Sequence, residues 1–443
     1  MHDFNRRAFL GSSLAAWMAP SAGGLLWAAD KTKEKAKSSK PAAPAPAKTP
    51  APAKIEVAAP TETLLLTWRQ DPTTTMVIQW LGPNTGDVPS VEFAEYGKSA
   101  EWRKQTPKTK PYPLTELKVY RTELTKLKPG TEYQFRLGAD KTIHRFRTMP
   151  AKATDTFSFI SGGDCGTNAH ALANNRLAAR QNPMFTFIGG DLGYDNGRDA
   201  KTSVDFVRNY TREMIDAEGR RIPLVVCLGN HEVDGGYGRP RENAPFFFAL
   251  HDGLYDERSY GTLDFGDYLS LVLLDSGHIS DIDGEQTSWL EDTLRERVER
   301  PHLVSAYHVP SYPSYRPMDG LLGTGTGALS RKHWVPLFEK YNVDFVLEHH
   351  DHTFKRTHPL KDGLINANGI SYLGDGSWGQ LRTPHEPEER PYLAAVNKAY
   401  HMTLHRLEGE RRFHVALEET GRIVDIHMTT KRPRRIVGRS AQT

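Results

Sequence analysis

Cysteine is nearly absent from this chain, with two residues in 443, Cys165 and Cys227. That excludes a disulfide framework and any metal cluster built on several thiolates. Both flank strand-like runs and read as buried free thiols, with a bridge between them left open. A dominant charge is also missing: 57 Lys+Arg face 54 Asp+Glu, a formal charge of +3. The small excess sits in two segments of low complexity rather than on a patterned face, so nucleic acid is not an expected partner. Several catalytic signatures are absent as well. His231-Glu232 is followed by Val233-Asp234-Gly235, without the second histidine four residues on that a zincin helix needs. Gly323-Thr324-Gly325-Thr326-Gly327 lacks the Lys-Ser/Thr of a phosphate-binding P-loop and reads as a flexible rim of an active site. No serine elbow is present. What is there is ordinary soluble-protein composition, 38% hydrophobic and 25% charged, in a chain long enough for two or three domains.

Read in order, residues 1–29 place Arg6-Arg7 ahead of a weakly apolar stretch interrupted by Gly11, Ser12, Ser13 and Pro20. This looks like a cleaved twin-arginine export signal, against the competing reading of an uncleaved membrane anchor, and it predicts a periplasmic or secreted protein with no stable membrane anchor. Residues 30–60 are almost wholly Lys, Ala, Pro, Ser and Thr and read as a semi-extended linker. From 61 to 149 short alternating runs (LLLTW, MVIQW, VEFAEY, VYRTEL, YQFRL) separated by turn residues predict a small β-sandwich. From 151 to about 430, strands alternate with helix-like segments at 168–181, 202–218, 284–299 and 330–341, which argues a parallel or mixed sheet. Residues 260–275 read as two strands around Gly266-Asp267, and 369–379 and 401–427 as strands of a second sheet. The tail, 431–443, is basic and reads as solvated.

The chemistry gathers around residues 184–197, MFTFIGGDLGYDNG. An apolar strand stops at Gly189-Gly190 and presents Asp191 and then Tyr194. Four other strand-like runs stop similarly, at Asp164, at Asn230-His231, at His308, and at His349-His350-Asp351-His352. Ligand crevices of open α/β sheets lie beyond the carboxyl ends of strands, so these ends point to one polar site. Asp164, Asp191, Tyr194, Asn230, His308, His350 and His352 supply oxygen and nitrogen donors for two metal ions sharing a carboxylate, an arrangement suited to phosphoryl displacement. A phenolate favours a trivalent ion such as Fe(III), whereas Asn with two His favours a divalent one.

The ordered blocks GGDCG, GGDLGY, GNHE, SAYHVPSY and HHDHTFKR resemble the five metallophosphoesterase motifs of the purple acid phosphatases, over residues 61 to about 428. Residues 127–133 (LKPGTEY) resemble the corner-tyrosine turn of fibronectin type III domains. The resemblance implies an α/β fold, a four-layer α/β/β/α metallophosphoesterase sandwich with two mixed sheets, preceded by an all-β fibronectin III-like sandwich. It implies Fe(III) held by Asp164, Asp191, Tyr194 and His352, and Zn, Mn or Fe(II) held by Asp191, Asn230, His308 and His350, with Asp191 as bridge. It implies a small phosphate ester as substrate, monoester hydrolysis by a metal-activated hydroxide, and His231 as the group that orients phosphate and protonates the leaving oxygen. A structural histidine is the competing reading for His231.

Two departures from the family pattern stand out. His349 occupies the place of a glycine before the first ligand histidine of the last block, although HTFKR keeps His350 and His352 in register. The loop after His308, VPSYPSYRPMDG, carries no histidine, so Tyr312, Tyr315 and Arg316 stand as candidates for phosphate contact with surface or packing roles equally open. Two alternatives are carried forward: a PhoD-like phosphodiesterase or alkaline phosphatase, whose DDHE-like block is GNHE here, and a metal-containing binding protein without catalysis.

Overall fold

The computed structural model describes residues 54–431 apart from 85, 87, 99–100, 153–156, 319–323 and 375. The export signal, most of the linker and the tail beyond 431 lie outside the described residues.

Strands β1 (Leu65–Thr67), β2 (Met76–Pro83), β3 (Val91–Glu95), β4 (Arg103–Gln105), β5 (Lys108–Pro111), β6 (Leu117–Leu124), β7 (Glu132–Leu137) and β8 (His144–Arg147) form two antiparallel sheets, ordered β1-β2-β6-β5 and β4-β3-β7-β8. Period-2 burial in β7, and in β6 apart from the adjacent buried pair Val119-Tyr120, matches the alternation read from the sequence. The sequence reading missed β4, β5 and β8. The first is wholly exposed and the second largely so, leaving no apolar alternation to detect. The Tyr133 hydroxyl accepts from Lys128 N at 2.9 Å and closes the corner turn.

Beyond them, β9 (Phe157–Gly162), β10 (Thr186–Ile188) and β11 (Leu224–Val226) are parallel. They are extended antiparallel by β21 (His401–Glu408), β22 (Arg411–Glu418) and β23 (Ile423–Thr430) into a six-stranded sheet, β11-β10-β9-β21-β22-β23. A seven-stranded sheet, β12-β13-β14-β15-β19-β16-β20, is built from β12 (Gly261–Phe265), β13 (Leu269–Leu273), β14 (His302–Ala306), β15 (Phe345–Glu348), β16 (Phe354–Thr357), β19 (Ser371–Gly374) and β20 (Leu393–Asn397). A two-residue hairpin, β17 (Leu360–Lys361) with β18 (Leu364–Ile365), stands apart. The strands expected at 369–379 and 401–427 therefore serve different sheets: β19 inserts beside β15, and β21 to β23 extend β9.

Alternation along the seven-stranded sheet separates its two faces. Leu271, Leu273, Val304, Ala306, Phe345 and Leu347 belong to the core shared with the six-stranded sheet, where Phe345 stacks on His405 at 5.5 Å. Val272, Leu303, Tyr307 and Val346 face a second core with Leu290 and Leu294 from helix α4 (Glu285–Arg297), Phe338 from α6 (Val335–Lys340) and Trp334 just before it. Helices α1 (Ala169–Arg180) and α2 (Ala200–Glu213) belong to the six-stranded sheet's side, with contacts between α1 and β21. This is the mixed α/β sandwich expected.

Helix ends follow local chemistry. Asn168 caps α1 by accepting from Ala171 N at 3.0 Å. Helix α2 stops at Glu213, five residues before the expected 218, because the Asp216 carboxylate takes the N–H groups of Glu218 (3.0 Å) and Arg220 (2.8 Å) and folds the chain into a turn. The helix expected at 330–341 is two, α5 (Ala328–His333) and α6, broken at Trp334 because Pro336 has no N–H to donate back into the preceding turn.

Candidate metal centre

The parallel strands end level with one another: Ile188 is paired with both Gly162 and Val226, and Ala306 with Leu347. The two sheets meet at these ends, where His308 Nδ1 bonds Gly189 O at 2.8 Å and His350 N donates to Asp164 Oδ2 at 2.9 Å. All seven donor residues named from the sequence converge here. Five of them, Asp164 (φ 57°), Asp191 (54°), Tyr194 (66°), His350 (77°) and His352 (61°), adopt the left-handed conformation that non-glycine residues rarely take. Such strain gathers where surrounding structure fixes a functional geometry.

The donor atoms form two sets. Asp164 Oδ1, His352 Nε2 and the Tyr194 hydroxyl are separated by 3.0, 3.2 and 3.4 Å. Around His308 Nε2 lie His350 Nδ1 at 3.0 Å, Asn230 Oδ1 at 3.2 Å and Asp191 Oδ2 at 3.3 Å. Atoms of Asp164, Asp191, His308 and His350 all fall within 4.8 Å of one another, so the sets adjoin. Ligand bonds of about 2.0–2.2 Å at tetrahedral or octahedral angles place neighbouring donors about 3.0–3.4 Å apart. The residues fit metal ions. Each carboxylate spends one oxygen on a backbone N–H, Asp191 Oδ1 on His231 N at 2.8 Å and Asp164 Oδ2 on His350 N, and turns the other inward. Asp191 Oδ2 is fully buried without a hydrogen bond.

Electrostatics agree with the geometry. Burial alone would lower the His308 pKa, yet the Asp191 and Asp164 carboxylates lift it to about 9. The cluster calls for positive charge, which a proton or a metal ion can supply. Burial, then repulsion from the charged His308, holds His350 well below its ordinary range. Tyr194 is pushed well above the usual phenol range by burial and by Asp164 and Asp191.

The neighbours of these donors divide into supports and rim. His349 turns away: its Nδ1 bonds Tyr307 O at 3.0 Å, and a Cβ on Gly189 would lie 2.0 Å from its ring. That places His350 and His352, rather than His349, at the centre. Glu232, not singled out from the sequence, accepts from Asp191 N (2.8 Å), Leu192 N (2.6 Å) and Gly229 N (2.8 Å), tying the loops after β10 and β11 together. His231 is half-buried, its Nε2 3.9 Å from Asp191 Oδ2 and its ring 4.2 Å from that of Tyr194. Tyr237, also missed, brings its hydroxyl to 3.3 Å from Asn230 Oδ1 and 3.3 Å from His350 Nε2. A lone tyrosine among glycines carries no spacing signal.

The structure decides between the open readings of the loop after His308. Tyr312 does not reach the crevice; it is buried against Tyr372 (4.6 Å) and Tyr392 (5.7 Å) because the loop after His308 folds back onto the outer core. Tyr315 is exposed under Arg382, and only Arg316 of the three adjoins the centre, with Nη2 3.3 Å from His350 O. The described part of the Gly/Thr stretch is exposed at Thr324 and Gly325 and closely packed at Gly327, where a Cβ would meet Pro310 O at 2.3 Å. Cys165 and Cys227 are buried free thiols.

Comparison with known proteins agrees with this arrangement. Residues 61–160 match the family described as Purple acid Phosphatase, N-terminal domain, and residues 154–354 match the Calcineurin-like phosphoesterase family. Acid phosphatase type 7 of Mus musculus is 27% identical over 348 residues, covering 70% of this chain and 76% of that protein. Fe(3+)-Zn(2+) purple acid phosphatase 12 of Arabidopsis thaliana is 24% identical over 320 residues, 67% of this chain and 65% of that protein. Among solved structures, the purple acid phosphatase PPD1 of yellow lupin (Lupinus luteus) superposes with a TM-score of 0.71 at 16% identity, covering 83% of this chain and 74% of the other. PhoD superposes at 0.61 with 13% identity, over 84% and 93%. Likeness at such identity speaks for fold alone. Two successive family matches, the curated relatives and a donor cluster at the strand ends together make the chain purple acid phosphatase-like, with a calcineurin-like phosphoesterase region over residues 154–354, and support hydrolysis of phosphoric esters.

Proposed function

We propose that this chain hydrolyses phosphate monoesters at a centre of two unlike metal ions, after export by the twin-arginine route. The observation that carries the reading is the pair of adjoining donor sets at metal-ligand spacing. Asp164, Tyr194 and His352 would hold Fe(III), and Asn230, His308 and His350 a divalent Zn, Mn or Fe, with Asp191 shared. The Arabidopsis relative named above, an Fe(3+)-Zn(2+) purple acid phosphatase, supports that pairing. Bound there, the ions supply charge neutralisation at a phosphoryl group and acidify water enough for attack near neutral pH.

The chain's own groups do the rest. Asp164 and Asp191 are fixed by backbone N–H bonds and cannot turn away. His231 gives a proton to the departing oxygen: in the imidazolium, Nδ1–H donates to Asn196 Oδ1 and Nε2–H is left for the substrate. No helix among the described residues is long and apolar enough to cross a membrane. A small soluble ester suits the centre, and the near-balanced charge gives no support for nucleic acid.

Metal-loaded protein is tested on para-nitrophenyl phosphate and on the bis-ester. Faster monoester turnover is expected, and faster diester turnover would favour the PhoD-like reading. In the same assay His231→Ala should retain metal and lose about a hundredfold or more on alkyl phosphates, but less on aryl ones, whose leaving groups need less protonation. Equal losses would leave His231 a phosphate ligand only.

A further inference from the structure

We propose that Tyr237 is a phosphate-binding residue of this centre, its hydroxyl donating to a phosphoryl oxygen of the bound ester. The inference rests on the hydrolase reading of the donor cluster and adds a residue to it. The phenol reaches the donor set of Asn230 and His350, whereas Tyr194 reaches that of Asp164 and His352. Its oxygen lies 3.3 Å from Asn230 Oδ1 and 3.3 Å from His350 Nε2, contacts long enough that the hydroxyl is weakly engaged. The residue is 45% exposed, so the ring borders the open crevice and not the core.

The loop that carries it is built to hold the ring in place. Gly235 (φ 93°), Gly236 (78°) and Gly238 (60°) turn the backbone through conformations side chains resist. The turns are then pinned: Gly236 N donates to Val233 O at 3.0 Å, Gly238 N to Gly277 O at 3.1 Å and Arg239 N to His278 O at 2.9 Å. The His278 ring, bonded through Nδ1 to Gly236 O at 3.1 Å, lies 4.8 Å from the Tyr237 ring and backs it. A pinned loop that projects one polar side chain over ligand atoms is preorganised for an anion. The segment after His308 offers less on this wall, because Tyr312 is buried in the outer core and Arg316 is engaged with His350 O and Asp351. A neutral phenol donating to a phosphoryl oxygen makes a charge-assisted hydrogen bond.

The test is Tyr237→Phe in the full metal-loaded chain, which keeps the ring on His278 and removes only the oxygen. Metal content and melting temperature should match wild type. The dissociation constant for inorganic phosphate, measured by calorimetry, and KM for para-nitrophenyl phosphate should both rise about tenfold with kcat nearly unchanged, the pattern of a lost bond common to ground and transition states. Unchanged phosphate affinity would overturn the proposal. So would loss of metal, which would make the hydroxyl a support for Asn230 and His350. Wild-type protein that holds two metals but neither binds phosphate nor turns over ester would instead overturn the hydrolase reading itself.

Discussion

Tyr194 illustrates how one side chain can separate a particular metal centre from a generic one. Beside two carboxylates and buried, its phenol is held protonated. A trivalent ion among the same donors would reverse that balance, since a bound cation dominates the local field. The left-handed backbone at Tyr194 returns the phenol to within 3.2 Å of His352 Nε2 and 3.4 Å of Asp164 Oδ1. Purified, oxidised, iron-loaded protein should show a visible phenolate-to-iron absorption. Tyr194→Phe should abolish the band while iron remains; a coloured variant would remove the phenolate assignment. Residue types with metal-ligand chemistry were legible from sequence because they recur at strand ends. Glu232 and Tyr237 were not, since a carboxylate that bonds three backbone N–H groups and a tyrosine positioned by glycine turns depend on chain path.

At the scale of the element, the strand ends are shaped by what packs behind them. The His349 ring fills the space that glycines leave after β9 and β10, with hypothetical Cβ atoms on Gly163 and Gly189 falling 2.7 and 2.0 Å from it. Gly189→Ala should therefore cost about 2–3 kcal/mol and lower the melting temperature by about 3–5 °C. Adding His349→Gly should recover part of that loss, a non-additivity expected of residues in contact. Melting curves of the three variants check it, and a Gly189→Ala protein as stable as wild type would show that the glycine is not required by packing. Strand order along the chain was readable from apolar runs, and the hairpin around Gly266-Asp267 fell where expected, between β12 and β13. Helix ends and edge strands were less so: the end of α2 is decided by Asp216, the break after α5 by Pro336, and β4 and β5 by pairing alone.

For the molecule as a whole, burying histidines between the two sheets ties stability to pH. Ser161 Oγ, His405 and His414 form a buried chain, with 2.6 Å from Ser161 Oγ to His405 Nε2 and 2.7 Å between the two Nδ1 atoms, ending at Thr429 Oγ1, 3.0 Å from His414 Nε2. Burial holds His405 down to about 3 and His414 well below its ordinary value. The folded protein keeps both neutral while the unfolded chain takes up protons below about pH 6.5. Their contribution is complete above that pH and is lost as pH falls, for His405 by about 1.4 kcal/mol per pH unit down toward 3, with His414 acting in the same direction. Urea unfolding between pH 6.5 and 4.5 should be less pH-dependent in His405→Gln than in wild type; equal slopes would deny the linkage. The central claim, that seven side chains from two sheets hold two ions sharing Asp191, is tested most directly by metal analysis of purified wild-type and Asp191→Ala protein. Two metal ions per wild-type chain and loss of both in the variant are expected. A wild-type chain that binds one ion, or a variant that retains two, would contradict the shared carboxylate and the two-metal centre built on it.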